Sequence, residues 1–269
     1  MNRKRFVTLA LILLFSIPSL AQTGTKKKRP LPYEYGRVVL NNNNATKYEM
    51  APVVFEHWIH RSKFTCRVCH VDVGFGMKAG NTGIRAADIE RGYYCGACHN
   101  GRTLSDGKPI FAACSTKKLT YEDQKRCDRC HSVGKRVPSD FDFFSFTAPL
   151  PKERYGNGVD WEKAEEQGLI HPQTALAGFT PKNPLVVQKD FDLNAKVEGM
   201  PDIIFSHKKH TVWNGCELCH PEIFMGVKKG NSHYTMVDIS EGKSCGACHV
   251  TVAFPLMDCQ RCHAKPVQP

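Results

Sequence analysis

The sequence predicts a fold with little regular secondary structure, in which short helices and loops wrap around covalently bound groups and two domains of one design follow each other. Three observations carry that expectation. C-x-x-C-H pentapeptides begin at Cys66, Cys95, Cys127, Cys216, Cys245 and Cys259, and these six motifs take up 12 of the 13 cysteines. An internal repeat runs at a constant offset of 150 residues. The six motifs also leave only roughly 40 residues of chain for each bound group, too few for a conventional side-chain core around every one.

C-x-x-C-H is the attachment signature for c-type haem: two thiols add to the porphyrin vinyl groups, and the adjacent histidine is held where its imidazole ligates the iron. A zinc reading would pair the C-x-x-C knuckles into four-thiolate sites, and a redox reading would make each knuckle a dithiol. Neither requires a histidine after every second cysteine. The sequence therefore points to six covalent haems c, on Cys66 and Cys69, Cys95 and Cys98, Cys127 and Cys130, Cys216 and Cys219, Cys245 and Cys248, and Cys259 and Cys262. The proximal iron ligands are then His70, His99, His131, His220, His249 and His263. Porphyrin faces supply much of the buried surface, with thioether bonds and iron ligation as staples. Cys114 is left over; a buried small thiol and an intermolecular disulfide are its two readings.

In chain order, residues 1–21 read as an export signal: basic Arg3, Lys4 and Arg5, an apolar run from Phe6 to Ile17, and a small-residue cleavage site ending at Ala21. The apolar run is shorter than the roughly 20 residues a spanning helix needs, so no transmembrane segment is expected once the signal is removed. Export matches the chemistry, because haem c is attached outside the cytoplasm in bacteria. The formal charge of +11 suggests a nucleic-acid or membrane binder. Propionates from six haems offset most of it, however, and no interleaved aromatic and basic stripe supports nucleic-acid binding.

Residues 22–51, with Thr-Lys-Lys-Lys-Arg-Pro and the run of asparagines from Asn41 to Asn44, read as a solvated N-terminal arm. Residues 52–135 and 201–269 are the two repeated domains. Phe55, His57 and His60 answer to Phe205, His207 and His210; the first two motifs of each block also match without a gap. The third motifs break the register, so the first domain carries an insertion that contains Cys114. Residues 136–200, which hold no motif, read as an interdomain linker with a short helix, Asp160 as N-cap and Gly168 just past its end. The aromatic run Phe141, Phe143, Phe144 and Phe146 within it is expected to cover a haem edge or the domain interface.

Six histidines lie outside the motifs. His57 and His60, like His207 and His210, stand at i and i+3, on nearly one face of a helical turn, so each pair can serve two haems and draw them together. Phe-x-His-x-x-His ahead of three C-x-x-C-H motifs resembles the triheme cytochrome c7 domain, a relative of the tetraheme cytochromes c3. The stretch Y-T-M-V-D-I-S-E-G-K-S-C-G-A-C-H from Tyr234 onward resembles the tandem c7-type domains of metal-reducing bacteria. The resemblance implies two triheme c7-like domains and multihaem electron transfer. It also implies that His207 serves the haem on Cys216 and Cys219 and His210 that on Cys245 and Cys248, with His57 and His60 doing likewise in the first domain. For the third haem of the second domain it implies Met236, with His233 the competitor. In the first domain Ala86 and Gly83 stand at those two positions, so a recruited ligand is expected, His171 ahead of Met77.

The reading is an exported hexahaem c-type cytochrome that transfers electrons by haem-to-haem hopping, with no catalytic residue. Its expected partners are redox proteins or extracellular electron acceptors. Its expected place is the periplasm, with the outer membrane and cell exterior as alternatives. Two rival functions stay open: a multihaem reductase with one open-coordinate haem, and a subunit of a polymeric extracellular conduit.

Overall fold

The paired histidines emerge from a strand in both haem blocks. In the first, Arg37–Leu40 (β1) and Val53–Glu56 (β2) form an antiparallel ladder with Val38 opposite Phe55, and β2 runs without a break into the helix His57–Arg61 (α1). Four valines favour extended backbone here, and Arg37 closes the end of the ladder on Glu56 at 2.7 Å. Ala86–Glu90 (α2) follows, then the small hairpin of Leu104–Ser105 (β3) and Lys108–Pro109 (β4). Tyr121–Asp128 (α3) comes next, started by a reciprocal capping box between Thr120 and Asp123. The computed structural model describes residues 29–41, 49–114, 120–133, 142–176, 189–195, 197–226 and 228–265. The chain divides into the units Met1–Pro30 and Leu31–Pro269. Of the first only residues 29 and 30 are described, so the expected export signal, like Phe141, lies outside the described residues.

Between the blocks stand Phe143–Thr147 (α4) and Trp161–Glu166 (α5). Asp160 caps α5 through the Lys163 amide, and Gly168, at φ +68, ends the turn in the left-handed region, as the sequence indicates. Phe191–Leu193 (β5) and Ile203–Phe205 (β6) then pair antiparallel, with Phe191 opposite Phe205, and lead into His207–Asn214 (α6). Met236–Ser240 (α7), Gly246–His249 (α8) and Cys259–Cys262 (α9) complete the second block. No helix exceeds eight residues among those described, and none is long and apolar enough to cross a membrane.

Two expectations about organisation need correction. The arm at 22–51 is not a tether over its described length: β1 belongs to the first block, and the Tyr35 hydroxyl donates to the Ala253 carbonyl at 2.6 Å. Likewise the described residues of 136–200 do more than connect the two blocks. It supplies most of a side-chain core in which Phe143, Leu150, Val159, Trp161, Ala164 and Ile170 pack with Trp58 of α1, with Phe143 edge-on to Trp58 at 5.1 Å. The Trp161 Nε1 donates to Asn157 Oδ1 at 3.1 Å, so the indole is buried without an orphaned donor. Backbone bonds from Thr65 to the Gln173 carbonyl and from Gln173 to the Lys63 carbonyl join this insert to the first block. Arg261, bonded to Glu153 and Glu162, joins it to the second.

Candidate haem sites

Two imidazoles lie close to each other in each block, their planes tilted by 54° and 59°. His60 lies 6.3 Å from His99, and His210 lies 6.2 Å from His249, ring centre to ring centre. Metal–imidazole bonds of roughly 2 Å on opposite sides of one ion hold the nitrogens about 4 Å apart. Adding about 1 Å of ring on each side gives about 6 Å between ring centres. The aromatic residue two positions before each pair explains the Phe-x-His-x-x-His spacing. Phe55 meets His57 edge-on at 4.8 Å and lies over His60 at 4.3 Å; Phe205 does the same to His207 and His210 at 4.9 and 4.4 Å. Opposite, Gly96 and Gly246 inside the second motifs let a helix come close, since an added Cβ would stand 1.9 Å from the Ile89 carbonyl oxygen and 1.8 Å from that of Ile239.

Nearly every candidate ligand uses Nδ1 to donate to a backbone carbonyl, which leaves Nε2 for a metal. Among motif histidines the acceptors are Phe75 for His70 (2.9 Å), Ala51 for His131 (2.7 Å), Phe224 for His220 (2.8 Å), Phe254 for His249 (2.9 Å) and Pro201 for His263 (2.7 Å). His99 Nδ1 is buried and faces the Phe111 carbonyl without closing a hydrogen bond of ordinary geometry. Among the paired histidines the acceptors are Gly36 for His57 (2.5 Å), Glu56 for His60 (3.0 Å), Lys189 for His207 (3.0 Å) and Ser206 for His210 (2.8 Å). Burial holds His57 and His99 neutral, pushing each pKa down to about 4, and it lowers His60, His70, His210 and His249 as well. Neutral imidazole is the form that binds a metal. The third motifs, out of register in sequence, dock alike: Ala51 and Pro201, the acceptors for His131 and His263, are themselves 150 residues apart.

Most of these groups, His57, His60 and His210 but not His207 among the paired histidines, line one cavity of about 3800 Å³, several times the roughly 300–1,000 Å³ of a usual single-ligand cleft. Every motif cysteine except Cys216 lines it, as does every motif histidine except His220. No cysteine is taken up in a disulfide, so the thiol pairs are available for attachment, and burial pushes Cys69, Cys95 and Cys248 up to about 12. Among the described residues no cluster of three or more His, Cys, Asp or Glu is set to hold a bare metal ion. Paired thiols beside an imidazole whose Nε2 is left for a metal, most of them on the wall of a large cavity, fit a covalently attached metalloporphyrin.

A family profile for cytochrome c7 and related cytochrome c matches residues 53–132 and 203–264, more than half of the chain. The chain belongs to this cytochrome c7 family. It is similar to a c7-type three-heme cytochrome domain at 39% identity, over 32% of this chain and 98% of that one, with a TM-score of 0.26. It is similar to the C-terminal hexaheme fragment of GSU1996 at 23% identity, over 88% and 98% of the two chains, with a TM-score of 0.25. The dodecaheme cytochrome c GSU1996 matches at 27% identity over 88% and 75%, with a TM-score of 0.26. No curated protein matches significantly. Cytochrome c7 proteins carry several haems c and transfer electrons, and that is the class of chemistry here.

In the second cytochrome c7 block Met236, the first residue of α7, lines the cavity; His233 does not. In the first block Met77 lines it and His171 does not. His171 is exposed, beside Gly168, while Gln173, two residues on, folds back onto the first block through backbone bonds with Lys63 and Thr65. Sequence reasoning missed the carbonyls of Gly36, Ala51, Lys189 and Pro201. It also missed Phe111 and Phe254, each packed on a motif histidine and each under an arginine of the third motif, Arg129 at 4.1 Å and Arg261 at 4.7 Å. The arginine could have been found, as it precedes the second cysteine in both third motifs.

Proposed function

We propose that the chain is an exported hexahaem cytochrome that carries electrons between redox partners, protein or extracellular, by hopping from haem to haem. The observation that carries this reading is the opposed imidazole pair, His60 with His99 and His210 with His249, at nearly one spacing in both blocks. Haem supplies the reversible one-electron iron couple. The chain holds each macrocycle by two thioethers and an imidazole, fixes that imidazole through a carbonyl, and closes the other axial face with a second side chain. Six-coordination on both faces keeps substrates off the iron and suits outer-sphere transfer.

The axial pairs in this reading are His57 with His70, His60 with His99, His207 with His220, His210 with His249, and Met236 with His263. Met77 replaces His171 as the candidate opposite His131. Intact mass should report six haems per mature chain beginning at Gln22, and the colour should stay with the protein in acid acetone. Fewer haems, or a mature chain that keeps residues 1–21, would refute the corresponding part. A second reading, reduction of a small oxyanion at one open haem, rests on the third motif of the first block, where Ala86 stands at the Met236 position. Carbon monoxide added to reduced protein decides: no binding supports the carrier, and binding at one haem in six that persists in Met77→Ala supports the reductase.

A further inference from the structure

We infer that Arg61 is the receptor for a haem carboxylate reaching across from the second block. The inference rests on the haem reading above and adds to it a binding site and a ligand class. Arg61 closes α1, one residue after His60, where all three parts of the chain meet. Its Nη1 donates to the Val252 carbonyl of the second block at 3.0 Å. Its guanidinium carbon lies 5.0 Å from the ring centre of Trp161 in the insert and 5.5 Å from that of Trp213 in α6. The Tyr35 bond to Ala253 and the packing of Gly36 against Val252 seal the same seam.

The guanidinium is nevertheless incomplete. Its Nε is shut off from solvent and has no hydrogen-bond partner, and among the described residues no carboxylate lies within ion-pair distance of it. Indole faces attract the flat faces of a guanidinium but do not satisfy an in-plane N–H. Arg61 as a whole is half-buried, and a cation set among apolar rings without a counter-charge is unfavourable, so an anion at this point of the cavity would stabilise it. The charged or titratable groups that face Arg61 are Tyr35, His57, Cys66 and His249. None supplies that anion: the phenol donates its proton to a carbonyl, the thiol is a haem attachment point, and the imidazoles stay neutral.

Arg61 lines the haem cavity, and the anionic groups a haem brings are its two propionates. A planar guanidinium matches a carboxylate through two parallel N–H bonds. A porphyrin carries its propionates on the edge opposite its vinyl groups. Arg61 stands by the Cys66 thiol, at the tethered edge of the first haem, so the carboxylate belongs to a different macrocycle. Val252, Trp213 and His249 all place the second block on that side.

The test uses the full haem-loaded chain with Arg61→Met and Arg61→Lys, read by intact mass and by spectroelectrochemical titration at mildly acidic and mildly alkaline pH. In Arg61→Met the midpoint of one haem should fall, because a buried carboxylate has lost its cation. The fall should be larger at alkaline pH, since at acidic pH the abandoned carboxylate takes up a proton. Arg61→Lys should restore most of the wild-type value at both pH values. Equal falls at both pH values, or none, would overturn the inference. If Arg61→Met does not mature, Arg61→Lys decides alone: it must mature and show a small fall with the same pH dependence, and any other result overturns the inference. Failure of the parent reading looks different, as wild-type protein would then lack six haems by mass.

Discussion

His60 stands from His99 as His210 stands from His249, yet one residue along α1 the two blocks part company. Trp58, 4% exposed in the core, answers to exposed Lys208 in α6, and Lys63 answers to Trp213. The duplication has kept what the backbone determines at each site: the strand that delivers the histidine pair, the glycine that admits a neighbouring carbonyl, and the acceptors at Ala51 and Pro201. It has released what a single outward side chain determines. In the first block the far face of α1 turns to the insert's core; in the second that face meets water, and a tryptophan further along α6 reaches the core's edge. A haem block therefore constrains the inner face of its histidine helix and leaves the outer face to assembly.

The largest effect should come from the shared part. His60→Ala and His210→Ala are each expected to turn one haem in six into a high-spin centre that binds carbon monoxide, with equal amplitude in the reduced difference spectrum. Unequal amplitudes would break the equivalence of the blocks. The divergent face comes next: Trp58→Lys should cost about 3–5 kcal/mol by loss of a buried indole, while Lys208→Trp should stay within about 0.5 kcal/mol. Urea titration of the holo-protein followed by tryptophan fluorescence measures both, and a large loss in Lys208→Trp would contradict the asymmetry.

Gly96→Ala and Gly246→Ala should destabilise alike, by about 1–3 kcal/mol, because the atoms an added Cβ meets are backbone carbonyls that cannot swing aside. Haem yield per chain is the sensitive readout, and a tolerated alanine in either block would show that the helix can shift. The smallest effect concerns the third sites. Met236→His should lower the midpoint of one haem and leave the others nearly unchanged, since imidazole favours ferric iron more than a thioether does. His233→Ala should do little. Loss of a low-spin signal in His233→Ala but not in Met236→Ala would reassign that ligand.

The haem motifs were legible because each declares itself within five residues, and the repeat was legible because its first two motifs and histidine pair keep a gapless register. The acceptors that orient the imidazoles were not. A carbonyl has no side-chain signature, and Gly36, Ala51, Lys189 and Pro201 share no residue type. The strand within residues 22–51 escaped notice because β1 is four residues long, too short for an alternating pattern to rise above a lysine-rich and asparagine-rich surrounding. The insert was misread because its rings gain a core only by meeting Trp58, some 85 residues earlier in the chain than Phe143. The segment after His171 does fold back, with Gln173 bonded to Lys63 and Thr65, and those backbone bonds too leave no mark in the sequence.

The single cavity has a consequence for how such a chain is made. Most of the thiol pairs open onto one common space, at whose margin Val68 and Ile239 lie buried apart from the side-chain core around Trp58 and Trp161. In the hexahaem reading each macrocycle would then be wall for the next. A chain that has received all but one is left with a gap its short helices cannot close, so maturation should look cooperative, with partly loaded chains short-lived and open to proteolysis. Biogenesis would select for completeness without a separate inspector: the fold itself would report whether loading had finished.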